Sequence, residues 1–318
     1  MARILTLTLN PALDLTVELT ALRLGEVNRS EALHVHAAGK GLNVAQVLAD
    51  LGHRLTVSGF LGTANADRFD ALFAQRGFDD AFIRVPGETR RNFKLAESSG
   101  RVTDVNGTGP LVEADAQQRL LARLERIAVG HDAIVVAGSL PRGVSPAWFG
   151  QLLERLHALG LKVALDTSGA ALRVGLGTKP WLIKPNTDEL AEVFGSPVHT
   201  LAEQHAIANR LRAQGVENVV ISQGAQGVNW FAEGIALQAL PPTVDIASTV
   251  GAGDSLLAGM VHGLLSAASP QRTLGTATAI AALAVSQIGF GIPDHGALAA
   301  LESGVCVRPL GAQQEAGA

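Results

Sequence analysis

The sequence predicts an α/β protein: one domain on a mainly parallel sheet covered on both faces by helices, with a small extra sheet attached. Three observations carry this. Unbroken apolar, β-rich runs recur along the chain, amphipathic helical stretches alternate with them, and two segments break the rhythm by alternating apolar with polar residues.

Taken in order, "ILTLTL" (4–9) and "LTVSGFLG" (55–62) read as buried strands. Between them "HAAGKGLNVAQVLADLG" (36–52) places Leu42, Val44, Val47, Leu48 and Leu51 at helical spacing. From Ala133 the unit repeats: "AIVVAG" is a strand, "SPAWFGQLLERLHALG" a helix, and "KVALD", "WLIKPN" and "VVIS" are further strands. "HTLAEQHAIANRLRAQG" is helical, and so is "DSLLAGMVHGLLSA", with its stripe of Leu256, Leu257, Met260, Val261, Leu264 and Leu265. The uncharged stretch Thr273–Pro293 contains Thr276, Thr278, Ser286, Gln287 and several glycines, and reads as a buried helix, not a membrane span.

The two irregular segments are Leu13–Ala37 and Thr89–Val105. Their alternation predicts antiparallel strands with one wet face. Such a sheet could be a lid, a dimer surface or a plain β-insertion. No Pro- or Ser-rich linker divides the 318 residues, so they are expected to form a single domain.

Composition removes several classes of function. The net charge of −4 supplies no field for nucleic acid, and 4% aromatic residues without tyrosine leave little for base stacking. The lone Cys306 allows no intrachain disulfide and no cysteine-based metal site. "MARILTLTLNPALD" has no signal-peptide h-region. The expectation is a cytoplasmic protein with no membrane and no nucleic-acid partner.

Polar residues gather where the parallel strands end: Asn10, Asp14, Ser139, Asp166, Lys184, Asn186 and Ser222. Ligands of open parallel sheets sit beyond the carboxyl ends of the strands, so this edge predicts a binding crevice. Three glycine turns adjoin it: Gly39-Lys40-Gly41, Ser222–Gly227 and "VGAGD". Glycine before a helix lets an anion approach the unpaired N–H groups there. One such turn alone is an ordinary turn, but three, with Lys40 and Arg90, suit a phosphate-rich substrate. The Walker A pattern fails because position 34 is His34 and Gly41 follows Lys40; G-x-G-x-x-G fails at Leu256.

In "STVGAGDSLLAG" the N–H groups of Ala252, Gly253 and Asp254 are expected to converge beside a carboxylate. That combination suits phosphoryl transfer to a hydroxyl: the carboxylate takes the proton while the anion hole takes up charge on the moving group. A simple helix cap explains Asp254 and leaves Gly-Ala-Gly without a purpose.

"AGKGLNVA" and "STVGAGDSLLAG" resemble the two signatures of the ribokinase-like PfkB family of carbohydrate kinases, and "NPALD", "TRRNFKL", "GSLPRGV", "DTSG", "KPNTDEL" and "SQGAQG" follow in family order. The resemblance implies a ribokinase-like doubly wound, mainly parallel sheet with a small β-sheet lid, often the surface of a homodimer. It is greatest toward the branch that phosphorylates fructose 1-phosphate at C6 with MgATP, on "HAAGKG", Thr89–Asn92 and Ser248; branches acting on tagatose 6-phosphate or fructose 6-phosphate share much of this. By resemblance, Asp254 is the proton acceptor and Gly251, Ala252 and Gly253 form the anion hole. Asp14, Gly39, Lys40, Asn43 and Ser139 hold the sugar, and Arg90 its phosphate, with Arg91 on the opposite face of the strand. Lys184, Asn186, Ser222, Gly224, Gly227 and Gly253 contact ATP, and Glu189, with Asp166, orders the water shell of Mg²⁺. Local chemistry also allows Glu189 to be a helix-start charge. One departure is Gly289, where relatives often carry an asparagine near the adenine. A non-catalytic sugar-phosphate sensor would have no use for Asp254 with its Gly-Ala-Gly, and a kinase of an unphosphorylated sugar or nucleoside none for Arg90.

Overall fold

The computed structural model describes residues 1–311. Its strands are β1 (Arg3–Thr8), β2 (Ala12–Leu19), β3 (Ala32–Ala38), β4 (Arg54–Gly62), β5 (Asp79–Asp80), β6 (Ile83–Val85), β7 (Arg90–Glu97), β8 (Val102–Asn106), β9 (Ala133–Ala137), β10 (Lys162–Asp166), β11 (Leu182–Ile183), β12 (Asn218–Ser222), β13 (Val228–Ala232), β14 (Ile235–Leu240) and β15 (Cys306–Pro309). The central sheet has eleven strands in the order β15-β14-β13-β12-β11-β10-β9-β1-β4-β5, with β6 beside β4. From β5 to β12 every neighbouring pair is parallel; β12, β13, β14 and β15 pair antiparallel. The chain runs outward from β1 to β4, then restarts at β9 on the other side of β1. Such a switch point opens a crevice at the strand ends.

Apolar residues fill both faces of this sheet, as continuous apolar strands require. Along β1, Ile4 packs into one buried cluster, while Leu5 and Leu7 enter the other. Helices Lys40–Asp50, Ala252–Leu265 and Pro270–Val285 supply the first; Ala114–Ile127, Pro146–Ala158 and Leu201–Ala213 supply the second. Local signals set the boundaries. Ser145 accepts from Trp148 N with Pro146 in the first turn, and Thr200 closes a capping box with Glu203. The stretch expected to be one helix to Pro293 is helical only over Pro270–Val285; the Gly289-Phe290-Gly291 segment beyond is irregular. Among the described residues no helix is long and apolar enough to cross a membrane.

The two irregular segments meet in one four-stranded sheet, β3-β2-β7-β8. The expectation of purely antiparallel strands is corrected here: β2 and β3, and β7 and β8, are antiparallel, but the central β2–β7 pair is parallel, with Asp14 opposite Asn92. Alternation shows which side chains share a face, not which way the neighbour runs. One face carries Leu15, Val17, Leu33, Val35, Phe93, Leu95 and Val105; the other carries Asp14, His36, Asn92 and Lys94.

Candidate active site

A cleft of about 460 Å³ lies at the carboxyl ends of the central strands and is bounded by the small sheet. Asp14, Gly39, Lys40, Asn43, Arg90, Asp166, Lys184, Asn186, Glu189, Ser222, Gly224, Gly251, Gly253 and Asp254 all line it, so most residues expected in the site converge. Ala252 is the intervening residue of the turn and does not itself line the cleft.

Two helices point their first turns at this space. Lys40–Asp50 starts after Gly39 and Ala252–Leu265 after Gly251, and neither has a side-chain cap. Their first N–H groups therefore lack an intrahelical or capping partner and carry the positive end of the helix dipole. Gly251 has φ of 81°, and a Cβ there would lie 2.9 Å from the Phe290 ring. Gly39 has φ of 140° with Thr8 Cγ2 2.7 Å from a would-be Cβ. Both conformations favour a residue without a side chain.

Asp254 is in the first turn of its helix and only 6% exposed. Its Oδ2 accepts from Asn43 Nδ2 at 2.8 Å. Burial raises its pKa to about 6, and the Asp166 charge adds to this; Lys40, the Asn43 hydrogen bond and Lys184 act the other way. Asp166, 1% exposed, lies between two lysines: Lys40 Nζ at 3.3 Å from Oδ1 and Lys184 Nζ at 3.4 Å from Oδ2. For Lys40, burial opposes the charge, but Asp166, Asp254 and Glu189 outweigh it and raise the pKa. Lys184 Nζ is also 3.1 Å from where a Cβ on Gly253 would stand, so the ammonium abuts the glycine turn.

On the lid side Arg90 donates from Nη2 to Asn10 O (3.0 Å) and from Nε to Pro11 O (3.4 Å). Burial lowers its pKa and Asp14 opposes this. Its guanidinium makes no ion pair among the described residues, whereas Arg91 faces away and pairs with Glu88 at 3.0 Å. The alternation expected of a strand therefore separates the two arginines.

Two placements differ from the sequence reading, and a third pair of residues has a second role. Ser139 does not line the cleft but accepts from Asn10 Nδ2 at 3.1 Å, one residue removed from Arg90. Gly227 lies outside the lining; its φ is 98° and a Cβ would fall 2.2 Å from Ala239 O, so close backbone packing accounts for it. Asn186 and Glu189 form a reciprocal capping box, with Glu189 N to Asn186 Oδ1 at 2.7 Å and Asn186 N to Glu189 Oε2 at 2.9 Å. The helix-start role of Glu189 is thus present, although both residues also face the cleft. Sequence reasoning missed Asn92 and Lys94 as partners of Asp14, although the N-x-K spacing in "TRRNFKL" places both on one strand face.

Residues 7–295 match the family described as pfkB family carbohydrate kinase. The chain is 46% identical over 295 residues to 1-phosphofructokinase of Haemophilus influenzae, covering 92% of this chain and 94% of that one. It is 44% identical over 309 residues to 1-phosphofructokinase of Escherichia coli K12, covering 97% and 99%. The tetrameric inhibited form of phosphofructokinase-2 from Escherichia coli superposes with a TM-score of 0.87 at 28% identity, covering 95% of this chain and 99% of that one.

Proposed function

The chain belongs to the pfkB family of carbohydrate kinases, and from this premise we propose that it transfers the γ-phosphoryl group of ATP to the C6 hydroxyl of fructose 1-phosphate, giving fructose 1,6-bisphosphate. The observation that carries the reading is the buried Asp254 carboxylate in the first turn of an uncapped helix, in one cleft with Arg90. Asp254 takes the proton of the C6 hydroxyl as the oxygen attacks. A carboxyl with a pKa near 6 is ionised at neutral pH yet more basic than a solvated one. The N–H groups opened by Gly251, Ala252 and Gly253 receive the charge of the transferring group, and Lys40 and Lys184 add positive charge at the same place.

Arg90 binds the phosphate at C1, using a planar fork that carbonyls hold in place without neutralising it. Asp14, Gly39, Lys40 and Asn43 hold the sugar, with Ser139 acting through Asn10. The nucleotide lies toward Lys184, Asn186, Ser222 and Gly224. No group of three or more His, Cys, Asp or Glu clusters as a metal cage among the described residues. Two separate carboxylates facing the cleft suit a hard cation that keeps its water, and Asp166 Oδ2 is buried and makes no hydrogen bond, with only the Lys184 ammonium 3.4 Å away. Asp166 and Glu189 would hold Mg²⁺ through water, where it would supply charge neutralisation for the phosphoryl oxygens. The apolar outer face of the lid supports a homodimer, and an ATP-consuming reaction on a metabolite supports a cytoplasmic setting.

A coupled ADP-release assay over fructose 1-phosphate, fructose 6-phosphate, tagatose 6-phosphate and free fructose tests the reading. The highest kcat/KM is expected on fructose 1-phosphate. Preference for either 6-phosphate would replace the substrate, and binding without ADP release on any acceptor would make the protein a sensor.

A further inference from the structure

Lid strand β7 carries two side chains that the proposed chemistry leaves unused: Asn92, which lines the cleft, and Lys94, which reaches it only through Asp14. The parallel register sets Asn92 opposite Asp14 and Lys94 opposite Thr16, so all of them face the same side of the sheet. Asn92 Nδ2 donates to Asp14 Oδ1 at 3.0 Å, and Lys94 Nζ donates to Asp14 Oδ2 at 2.7 Å. Both oxygens of one carboxylate are thereby held from a neighbouring strand. The pair is largely withdrawn from water, with side-chain exposures of 14% for Lys94 and 13% for Asp14. A carboxylate so placed is costly unless a cation accompanies it.

Asn92 has a second feature. With its nitrogen committed to Asp14, its Oδ1 is buried and has no hydrogen-bond partner, and the residue lines the cleft. A buried acceptor left open beside a binding space is costly unless a ligand donates to it.

We propose that Lys94 and Asn92 set the sugar specificity of the cleft: Lys94 is a positioning residue that locks the Asp14 carboxylate, and Asn92 presents a second acceptor beside it. Two adjacent fixed acceptors, one charged and one neutral, match two neighbouring hydroxyls of a ketose. A site built to accept such hydrogen bonds rejects analogues that cannot donate them, because its buried oxygens then stay unpaired. The inference rests on the reading that this cleft binds a phosphorylated ketose.

Lys94→Met, Lys94→Arg and Asn92→Ala separate the roles. Lys94→Met is expected to raise the KM for fructose 1-phosphate about tenfold or more while the KM for ATP stays put, and Lys94→Arg to restore most of the loss. Asn92→Ala is expected to raise the same KM without affecting ATP. An unchanged sugar KM in Lys94→Met, an equal rise for both substrates, or no recovery in Lys94→Arg would overturn the proposal, since loosening of the whole fold weakens both ligands. Calorimetric binding of fructose 1-phosphate gives the same comparison without turnover. A wild-type protein that binds this sugar but does not phosphorylate it would sink the kinase reading alone, whereas unaltered binding by Lys94→Met would sink the specificity role alone.

Discussion

Asn43 Nδ2 donates to Asp254 Oδ2 at 2.8 Å, joining residues 211 positions apart. Each sits in the opening turn of a helix that begins at a glycine without a side-chain cap. The bond therefore does more than satisfy a buried carboxylate. It fixes the two helix mouths relative to one another, so the space between them has two sets of free N–H donors and one buried carboxylate. It also moderates the acidity of that carboxyl, because a donor to the ionised form lowers the pKa.

A pH profile reads this bond. Asp254 must be ionised to accept a proton, and burial, helped by Asp166, has raised its pKa to about 6. kcat/KM should accordingly fall as the pH drops through about 6. The substrate phosphate also titrates near pH 6, so the wild-type limb alone is ambiguous. In Asn43→Ala the donor is gone, the carboxyl pKa rises further, and the acid limb should move to higher pH while the substrate's titration stays where it was. Profiles from acid to mildly alkaline pH for both proteins check this, and an unmoved limb would mean that Asp254 is not the titrating base.

Replacing the base should trade activity for stability. Asp254→Asn is expected to lower kcat by about 10²-fold or more with little change in either KM. Folding raises this carboxyl from 3.8 to about 6, so between those values the folded protein binds the proton more readily than the unfolded chain. Wild-type stability is then lost as pH rises across that window, by on the order of 3 kcal/mol once it is passed. The amide variant has no charge to desolvate and should melt higher than wild type at neutral pH, the gap closing toward pH 4. A neutral variant that melts lower at pH 7.5 would show that the carboxylate is held favourably instead.

The parts of this site most legible in the sequence are those where one residue does one local thing. Asp254 after Gly-Ala-Gly, the glycine before Lys40, and the carboxyl-end residues Asp166 and Lys184 all follow from chain order in a parallel sheet. Relations between distant segments were not legible. The N-x-K pattern of β7 shows that Asn92 and Lys94 share a face, but only the parallel register with β2 reveals that Asp14 lies between them. Gly227 looks like a phosphate turn in "SQGAQG", whereas its lack of a side chain serves contact with Ala239 O on a strand that periodicity did not single out. "WLIKPN" is strand over Leu182–Ile183 only; its two-residue ladder ends before Pro185, which has no N–H to donate.

Arg90 provides a test confined to the substrate phosphate. It is held by two backbone carbonyls, while its neighbour Arg91 is exposed and paired with Glu88. Arg90→Ala should raise the KM for fructose 1-phosphate about ten- to hundredfold, the range of a charge-assisted pair, and leave free fructose unaffected. Arg91→Ala should alter neither. Equal losses on both sugars would move Arg90 from phosphate recognition to lid structure.

The lid's two faces predict that assembly and sugar binding depend on one another. Phe93 stands between Asn92 and Lys94 in the chain and so projects to the opposite face, in register with Leu15 on one side and Val105 on the other. Leu33, Phe93 and Val105 are 56%, 39% and 54% exposed, an apolar surface that a second copy of the chain would cover. Sedimentation of the wild-type protein should show a dimer at least, and Phe93→Asp should dissociate it. Because β7 carries Asn92 and Lys94 on its other side, loss of that support should raise the KM for fructose 1-phosphate while the ATP site, built on the central sheet, is spared. A wild-type protein that sediments as a monomer at micromolar concentration would exclude the lid as an interface, and a dissociated Phe93→Asp variant with normal sugar affinity would show that the lid keeps its shape alone.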